Sequence, residues 1–322
     1  MPGTLEDSVA RVILQRGAAV PLIRSGSARA WRVAVRPRTL LVAISPVLVG
    51  AALGFERTGA IDLLAALLVL GAAVLMQVAA NLQNDVGYTV RGGERGGTRT
   101  GLPRATALGW LSVGQVRAGL VLVGGVAVGL GLVLVAYRGW PVLLIGVASL
   151  SAALAYMGGP KPIAYSPYGE LTVFVFFGLV AVTGTEWVLT GSVGRVTLIA
   201  SMAIGSLAAS ALAVNNHRDM EHDRWVGRRT FAVLVGERGS RRLYYALLLG
   251  PFLLVPVMYV WARAPALVLP VVLVPSAIRL LRDFARCPPG VGFNEILFRT
   301  FRLELWFAVL LSAGVLLAGK PV

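Results

Sequence analysis

Nine apolar segments, each about as long as a helix that crosses a lipid bilayer, dominate this chain. They lie near residues 40–55, 62–81, 118–136, 141–157, 171–190, 196–215, 243–261, 265–283 and 303–319. Hydrophobic residues make up 57% of the 322 positions and charged residues 14%, whereas soluble domains are about 45–50% apolar and about 25% charged. We therefore predict an all-α, polytopic membrane protein with nine transmembrane helices in residues 36–322. A basic cytoplasmic tail over residues 1–35 precedes them, and its residues 5–20 form either a short surface helix or disordered chain.

The positively charged residues are distributed so unevenly that they indicate an orientation. If the N-terminus is cytoplasmic, 25 of the 30 Lys and Arg residues fall in cytoplasmic segments. The other five, one in each outer segment, are Arg57, Arg138, Arg195, Arg263 and Lys320. Because cytoplasmic loops of membrane proteins are enriched in Lys and Arg, we predict a multi-pass protein of the cell membrane with a cytoplasmic N-terminus. The same rule explains the net charge of +15 without nucleic acid as a partner.

The chain contains few cysteine and histidine side chains that could bind a metal ion. Cys287 is the one cysteine, and His217 and His222 are the two histidines. These numbers exclude a cysteine-built metal site and a histidine-rich one. A divalent metal would have to be held by carboxylate and amide oxygens, which favours a hard ion such as Mg²⁺.

Two polar clusters stand at equivalent places, at the cytoplasmic ends of the second and sixth apolar segments. The first runs from Asn81 to Asp85, and the second, about 135 residues later, runs from Asn215 through Asp219 to Asp223. Residues four apart share one face of a continuing helix, so each cluster presents amide and carboxylate oxygens together. Such weak internal symmetry places a ligand site between two halves of a membrane bundle.

The clusters supply only part of a Mg²⁺ cage. Mg²⁺ usually keeps several waters and completes its shell with one or two carboxylates and substrate phosphate. Guanidinium groups, which bind phosphate in a bidentate manner, surround both clusters: Arg91, Arg95, Arg99, Arg104, Arg218, Arg224, Arg228 and Arg229. The pattern therefore predicts a metal–phosphate site, although carboxylates at helix ends and arginines that only set topology would look similar.

A phosphate site at the mouth of an apolar bundle fits a substrate with a diphosphate head and a hydrocarbon tail, such as a polyprenyl diphosphate. Mg²⁺ and arginine would neutralise the leaving diphosphate so that the allylic C–O bond ionises. The rival class is a transporter, which requires polar residues near the middle of the membrane. The apolar segments contain few of these, Gln77 and Glu186 among them.

Four stretches of the chain resemble the UbiA superfamily of membrane prenyltransferases, and within it the branch of 1,4-dihydroxy-2-naphthoate polyprenyltransferases. They are RPRTL and SPVLVG at 36–40 and 45–50, NLQND and LPRAT at 81–85 and 102–106, GGPKP at 158–162, and NNHRD at 215–219 with the residues that follow to 233. The resemblance implies a UbiA-type bundle of nine helices whose active-site mouth is cytoplasmic.

The resemblance also implies Mg²⁺-dependent transfer of a polyprenyl chain to an aromatic acceptor. In this branch the acceptor is 1,4-dihydroxy-2-naphthoate, which loses CO₂ and gives demethylmenaquinone. The implied catalytic residues are Asp85, Asp219 and Asp223, which also bind the metal together with Asn81 and Glu94. The implied substrate-binding residues are Asn81, Asn84, Tyr88, Arg104, Lys161, Asn215, Arg228 and Arg229.

One position departs from the family pattern. The first motif of the family usually reads N-D-x-x-D, and here Tyr88 replaces its second carboxylate. A phenol is a poor Mg²⁺ ligand at neutral pH, and Glu94 stands near another acidic position of the family. The change leaves open a specialised enzyme of the same type that prenylates another aromatic acceptor or cyclises a prenyl diphosphate.

Overall fold

The computed structural model describes residues 23–93 and 99–318, and within these ranges it contains helices and no β-strand. The predicted surface helix at 5–20 and Glu94 lie outside the described residues. The helices are α1 Ala28–Val35, α2 Leu41–Thr58, α3 Leu63–Val90, α4 Val113–Arg138, α5 Trp140–Met157, α6 Gly169–Thr190, α7 Arg195–Arg218, α8 Met220–Trp225, α9 Phe231–Ala262, α10 Pro265–Arg286 and α11 Phe293–Leu317.

Nine helical segments of the described chain are long and apolar enough to cross a membrane, with α1 and α2 together forming the first and the short α8 excluded. This confirms the predicted all-α fold with nine spans, and the chain is a multi-pass membrane protein. Helix α7 is the most buried of the nine and packs against α6, α9 and α11. Helices α4 and α5 are the least buried and pack mainly on α3 and on each other.

Polar caps begin several of the membrane helices. The side chain of Asp62 accepts a hydrogen bond from the Ala65 amide at the start of α3, and Ser112 forms a capping box with Gln115 at the start of α4. Thr230 caps a short helical piece, 231–235, that precedes the membrane part of α9 and is separated from it by a break at Gly236, with φ 69° and ψ −175°. Such caps satisfy amide groups that have no partner within the helix, so they fix where each span leaves its loop.

Both cluster-bearing helices differ slightly from the sequence expectation. Helix α3 continues to Val90, about nine residues beyond the apolar segment that predicted it, so the whole first cluster is helical. Helix α7 ends at Arg218, and Asp219 joins it to α8 with φ −93° and ψ 6°. The amides of Asp219 and Asp223 still donate to the carbonyls of Asn215 and Asp219, at 3.0 and 2.7 Å. The second cluster therefore keeps the helical hydrogen-bond pattern across a change of direction.

The described part of the predicted tail is packed against the bundle. Ser27 caps α1, and Ala30 and Ala34 are buried in an apolar cluster with Val78 and Leu82 of α3. A left-handed residue, Arg36, with φ 55°, ends α1 before the chain turns into α2. The boundary predicted between residues 35 and 36 thus falls at a bend, and it remains a prediction as a domain boundary.

Helices α6 and α7 approach each other closely at a pair of glycines. A Cβ atom on Gly178 would lie 2.5 Å from the Cα of Gly205, and a Cβ on Gly205 would lie 2.5 Å from the carbonyl oxygen of Phe174. Around this contact α6 takes π-helical geometry over Phe174–Val180. Only glycine fits at such a distance, so the pair sets how α6 lies on the central helix.

Candidate active site

Four loops meet at one end of the bundle, and both polar clusters lie there. Arg228, after α8, donates to the carbonyl of Ala164 in the α5–α6 loop at 3.0 and 2.8 Å. Arg218 donates to Asn294 at the start of α11 at 2.6 Å. Asn294 in turn donates to the carbonyl of Thr100, in the α3–α4 loop, at 3.2 Å. These loops follow the second, fourth, sixth and eighth spans, as a site on one face of the membrane requires.

Asp85 is fully buried and binds the loop that follows α3. Its two carboxylate oxygens accept hydrogen bonds from the backbone amides of Ala105 and Thr106, at 3.0 and 2.9 Å. The Thr106 hydroxyl adds a third bond at 2.5 Å. The first motif carboxylate therefore fastens residues 105–106 to the membrane helix.

Asn81 and Asn84 play different parts in the first cluster. Asn81 donates to the carbonyl of Val35 and to the Thr39 hydroxyl, both at 2.8 Å, and accepts from Gln77 at 3.3 Å. It thus ties α3 to the bend between α1 and α2. The side-chain oxygen of Asn84 is buried and has no hydrogen-bond partner among residues 23–93 and 99–318.

Asp219 is buried between two arginines. Arg218 binds it in a bidentate manner, with N–O distances of 2.9 and 2.7 Å, and the Nε of Arg99 lies 3.5 Å from the same carboxylate. Burial opposes the negative charge, but the two guanidinium groups outweigh it and hold the pKa of Asp219 well below its usual value. Asp219 is therefore a carboxylate throughout the neutral pH range.

Asp223 is completely buried and has one oxygen free within the described chain. Its Oδ1 pairs with Arg228 at 2.5 Å, whereas Oδ2 has no hydrogen-bond partner among the described residues. A buried carboxylate oxygen without a partner is costly unless a cation or donor completes it. The described residues contain no group of three or more His, Cys, Asp or Glu side chains that could hold a metal alone. The donor set consists of oxygens and is incomplete, which fits Mg²⁺ held partly by substrate phosphate.

Tyr88 lies at the centre of the arginines. Its ring faces the guanidinium carbon of Arg104 at 3.6 Å, and those of Arg228 and Arg99 at 5.1 and 5.4 Å. Arg228 also donates a hydrogen bond to the Tyr88 hydroxyl. The residue that departs from the family motif thus joins the first cluster to the second.

The remaining predicted residues differ in how close they lie to the centre of the site. Lys161 and Arg229 are exposed, the latter joined to the site by its backbone amide, which donates to the Tyr165 carbonyl at 3.1 Å. Arg104 is buried beside Tyr88, and Asn215 is half-buried in the last turn of α7. The structure therefore brings together the aspartates, Tyr88, Arg104 and Arg228, and it leaves Lys161 and the side chain of Arg229 at the rim.

A buried pair beside the site was missed from the sequence. The side chain of Asn216 donates to Glu170 at 2.9 Å, and the second carboxylate oxygen of Glu170 is buried without a partner in the described part of the chain. Asn216 belongs to the second cluster, but Glu170 starts α6 and is separated from it by 46 positions. The only sequence signal for this pair is a charged residue, Glu170, at the edge of an apolar segment.

The arrangement is suited to a polyanion. Four arginines lie buried with three aspartates at one end of an apolar bundle, two in the loop after α3, one at the end of α7 and one after α8: Arg99, Arg104, Arg218, Arg228, Asp85, Asp219 and Asp223. In a site of low polarity, guanidinium groups bind phosphate strongly and in a bidentate manner. Asp219 and Asp223 pair with the arginines, and within the described chain Asp223 has an oxygen left for a cation.

Comparisons with known proteins agree with this geometry. The chain is 34% identical over 304 residues to a 1,4-dihydroxy-2-naphthoate octaprenyltransferase of Mycobacterium tuberculosis, covering 90% of this chain and 97% of the relative. It is 31% identical to the Escherichia coli protein of the same name, with 90% and 96% covered. A UbiA homologue from Archaeoglobus fulgidus bound to DMAPP and Mg²⁺ has the same fold, with a TM-score of 0.64, 15% identity, and 89% and 98% of the two chains covered. Residues 43–288 match the family called UbiA prenyltransferase, and the chain belongs to that family.

Proposed function

We propose that this protein transfers a polyprenyl chain from a polyprenyl diphosphate to 1,4-dihydroxy-2-naphthoate, with loss of CO₂, to give the quinol form of demethylmenaquinone. The observation that carries the proposal is the meeting of two aspartate clusters and buried arginines at one end of an apolar bundle. The names of relatives that match about 90% of the chain support the choice of acceptor. An apolar bundle with a polyanion site at its mouth suits a substrate whose head is charged and whose tail is hydrocarbon.

The proposed metal is Mg²⁺, bound at the site that the predicted residues Asp85, Asp219, Asp223, Asn81 and Glu94 form together with Asn84 and the diphosphate. Among them, Asp223 and Asn84 each have a buried oxygen without a partner in the described chain. The oxygens of Asp85 and the amide of Asn81 already bind neighbouring segments, so these two support the site by fixing its walls. When bound, Mg²⁺ supplies positive charge that stabilises the leaving diphosphate.

The residues of this chain then act on the leaving group and the cation. Arg104 and Arg228 bind the diphosphate as the allylic C–O bond breaks and its electron pair passes to the phosphate oxygen. The apolar bundle keeps water from the allylic cation. A new C–C bond forms at the ring carbon that carries the carboxylate. The bond between that carbon and the carboxylate then breaks, CO₂ leaves, and the electron pair of the broken bond returns to the ring.

Two polar residues of the apolar segments, Gln77 and Glu186, favour an enzyme over a transporter. Gln77 donates to Asn81 of the first cluster. Glu186 pairs with Arg57 at 3.0 Å at the opposite end of the bundle. Neither contributes to a binding site halfway across the membrane. We place the site at the cytoplasmic face of the cell membrane, because the arginine-rich loops lie at that end.

The test is mass spectrometry of the products formed by the purified protein with 1,4-dihydroxy-2-naphthoate, a set of prenyl diphosphates and Mg²⁺. We expect a prenylated naphthoquinol that lacks the carboxyl group. Removal of metal with EDTA should abolish turnover, and Mg²⁺ or Mn²⁺ should restore it. A cyclised hydrocarbon formed without any acceptor, or full turnover without metal, would contradict the proposal.

A further inference from the structure

Tyr88 is a buried aromatic ring that contacts three guanidinium groups. Its side chain is 7% exposed, and it lies in the last turn of α3, three residues after Asp85. Arg104 stacks on the ring, with 3.6 Å from its guanidinium carbon to the ring centre, and Arg228 donates to the hydroxyl. Arg99 completes the set at 5.4 Å. The three arginines come from two loops that are far apart in sequence.

Holding like charges so close together requires compensation. Guanidinium groups repel one another, most strongly where little water screens them. An aromatic face attracts each cation by about 0.5–2 kcal/mol, and a phenol oxygen can accept a hydrogen bond. Tyr88 offers the ring to Arg104 and the oxygen to Arg228, so one side chain positions both without neutralising either.

A carboxylate at this position would act differently. It would form ion pairs with the arginines and would offer oxygens to a second metal ion. A neutral phenol adds no negative charge beside the arginines and is a poor metal ligand. Arg104 faces the ring most directly, at 3.6 Å from the ring centre, whereas Arg228 lies at 5.1 Å and also pairs with Asp223.

We propose that Tyr88 is a positioning residue that holds Arg104 and Arg228 as a preassembled clamp for diphosphate, so that diphosphate binds at this end of the protein without Mg²⁺. The inference rests on the proposed function in one respect, that diphosphate is the head group of the substrate. Mg²⁺ is then required for breaking the C–O bond and not for capturing the head group.

The experiment measures binding of inorganic pyrophosphate to the full-length protein in detergent, by isothermal titration calorimetry in EDTA and again with Mg²⁺. We compare the wild type with Tyr88→Phe, which keeps the ring, Tyr88→Leu, which removes it, and Tyr88→Asp. Tyr168→Leu is the matched control, because Tyr168 is exposed in the neighbouring α5–α6 loop and has no arginine on its ring among the described residues.

We expect the wild type and Tyr168→Leu to bind pyrophosphate equally well in EDTA. Tyr88→Phe should bind a few-fold more weakly, and Tyr88→Leu about tenfold more weakly, which corresponds to about 1.4 kcal/mol. Tyr88→Asp should lose binding in EDTA and recover part of it with Mg²⁺. In turnover assays, Tyr88→Leu should raise the KM for prenyl diphosphate and leave the KM for the aromatic acceptor unchanged.

Equal affinity of the wild type and Tyr88→Leu in EDTA would overturn the proposal, as would absence of metal-free binding by the wild type. If Tyr88→Leu does not stay folded, Tyr88→Phe decides, and an affinity equal to the wild type would then overturn it. Pyrophosphate binding needs neither acceptor nor turnover. Failure to form a prenylated product would therefore contradict the proposed function without affecting this result.

Discussion

At the scale of single residues, Asp85 stabilises the fold in addition to belonging to a predicted metal-binding motif. It accepts hydrogen bonds from two buried backbone amides and one hydroxyl of the α3–α4 loop. Removal of the carboxylate leaves those donors buried without a partner, at a cost of about 1–3 kcal/mol each. We expect Asp85→Ala to abolish turnover and also to lower the free energy of unfolding by about 3 kcal/mol or more.

Thermal unfolding in detergent, followed by intrinsic fluorescence, measures this effect. Asp62→Ala is the control, because it removes the single N-cap bond at the other end of the same helix and should cost about 1 kcal/mol. An unchanged unfolding temperature for Asp85→Ala would mean that the loop does not depend on this carboxylate.

Glu304 is a second residue whose burial demands an explanation. It lies in α11 and is completely buried, and neither carboxyl oxygen has a hydrogen-bond partner in the described parts of the chain. A buried polar group without a hydrogen bond costs about 1–3 kcal/mol. We therefore expect Glu304→Met, which keeps a similar length, to raise the unfolding temperature, and Glu304→Gln to raise it less. A lower unfolding temperature for Glu304→Met would show that the carboxyl group has a favourable partner.

At the scale of helices, the glycine contact between α6 and α7 predicts which substitutions the bundle tolerates. A methyl group on Gly205 would lie 2.5 Å from the backbone oxygen of Phe174, which cannot move without shifting α6. We expect Gly205→Ala to destabilise the protein by about 1–3 kcal/mol through overpacking. The quantity to measure is again the thermal unfolding of the purified protein.

Gly184→Ala provides the matched control on α6. A Cβ atom there would meet only Ile145, at 3.7 Å, which is an ordinary contact. Since alanine favours helix over glycine by about 1 kcal/mol, this variant should be as stable as the wild type or more so. Equal destabilisation of both variants would refute the close contact as the cause.

The helices were easier to predict from the sequence than the contacts of the site, because apolar segments and residue spacing are local patterns. Apolar segments report the hydrocarbon part of a span, so all nine spans were found. They do not report helical turns beyond the bilayer, and the prediction therefore ended α3 near residue 81 although it continues to Val90. The i, i+4 spacing of Asn81 and Asp85 was readable because that helix does continue. The bond between Glu170 and Asn216 was not readable, because no local pattern encodes a contact between distant segments.

At the scale of the whole molecule, the single cysteine permits a direct test of orientation. Cys287 follows α10 at the end of the bundle that carries the site, and the charge pattern predicts that this end is cytoplasmic. A membrane-impermeant maleimide should leave Cys287 unlabelled in intact cells and label it after permeabilisation. Ala60→Cys in a Cys287→Ser background is the control, because residue 60 is exposed in the α2–α3 connection at the other end. Labelling of Cys287 in intact cells would reverse the assigned orientation.

The odd number of spans in the described chain limits how two copies of such a protein can be joined in one polypeptide. Nine crossings carry the polypeptide from one side of the membrane to the other. Two copies joined head to tail in one polypeptide would therefore face opposite sides, and the second copy would have its arginine-rich loops on the side that the positive-inside rule disfavours. A tandem duplication of this gene would keep both active sites on the same side only if the linker between the copies supplied one more crossing.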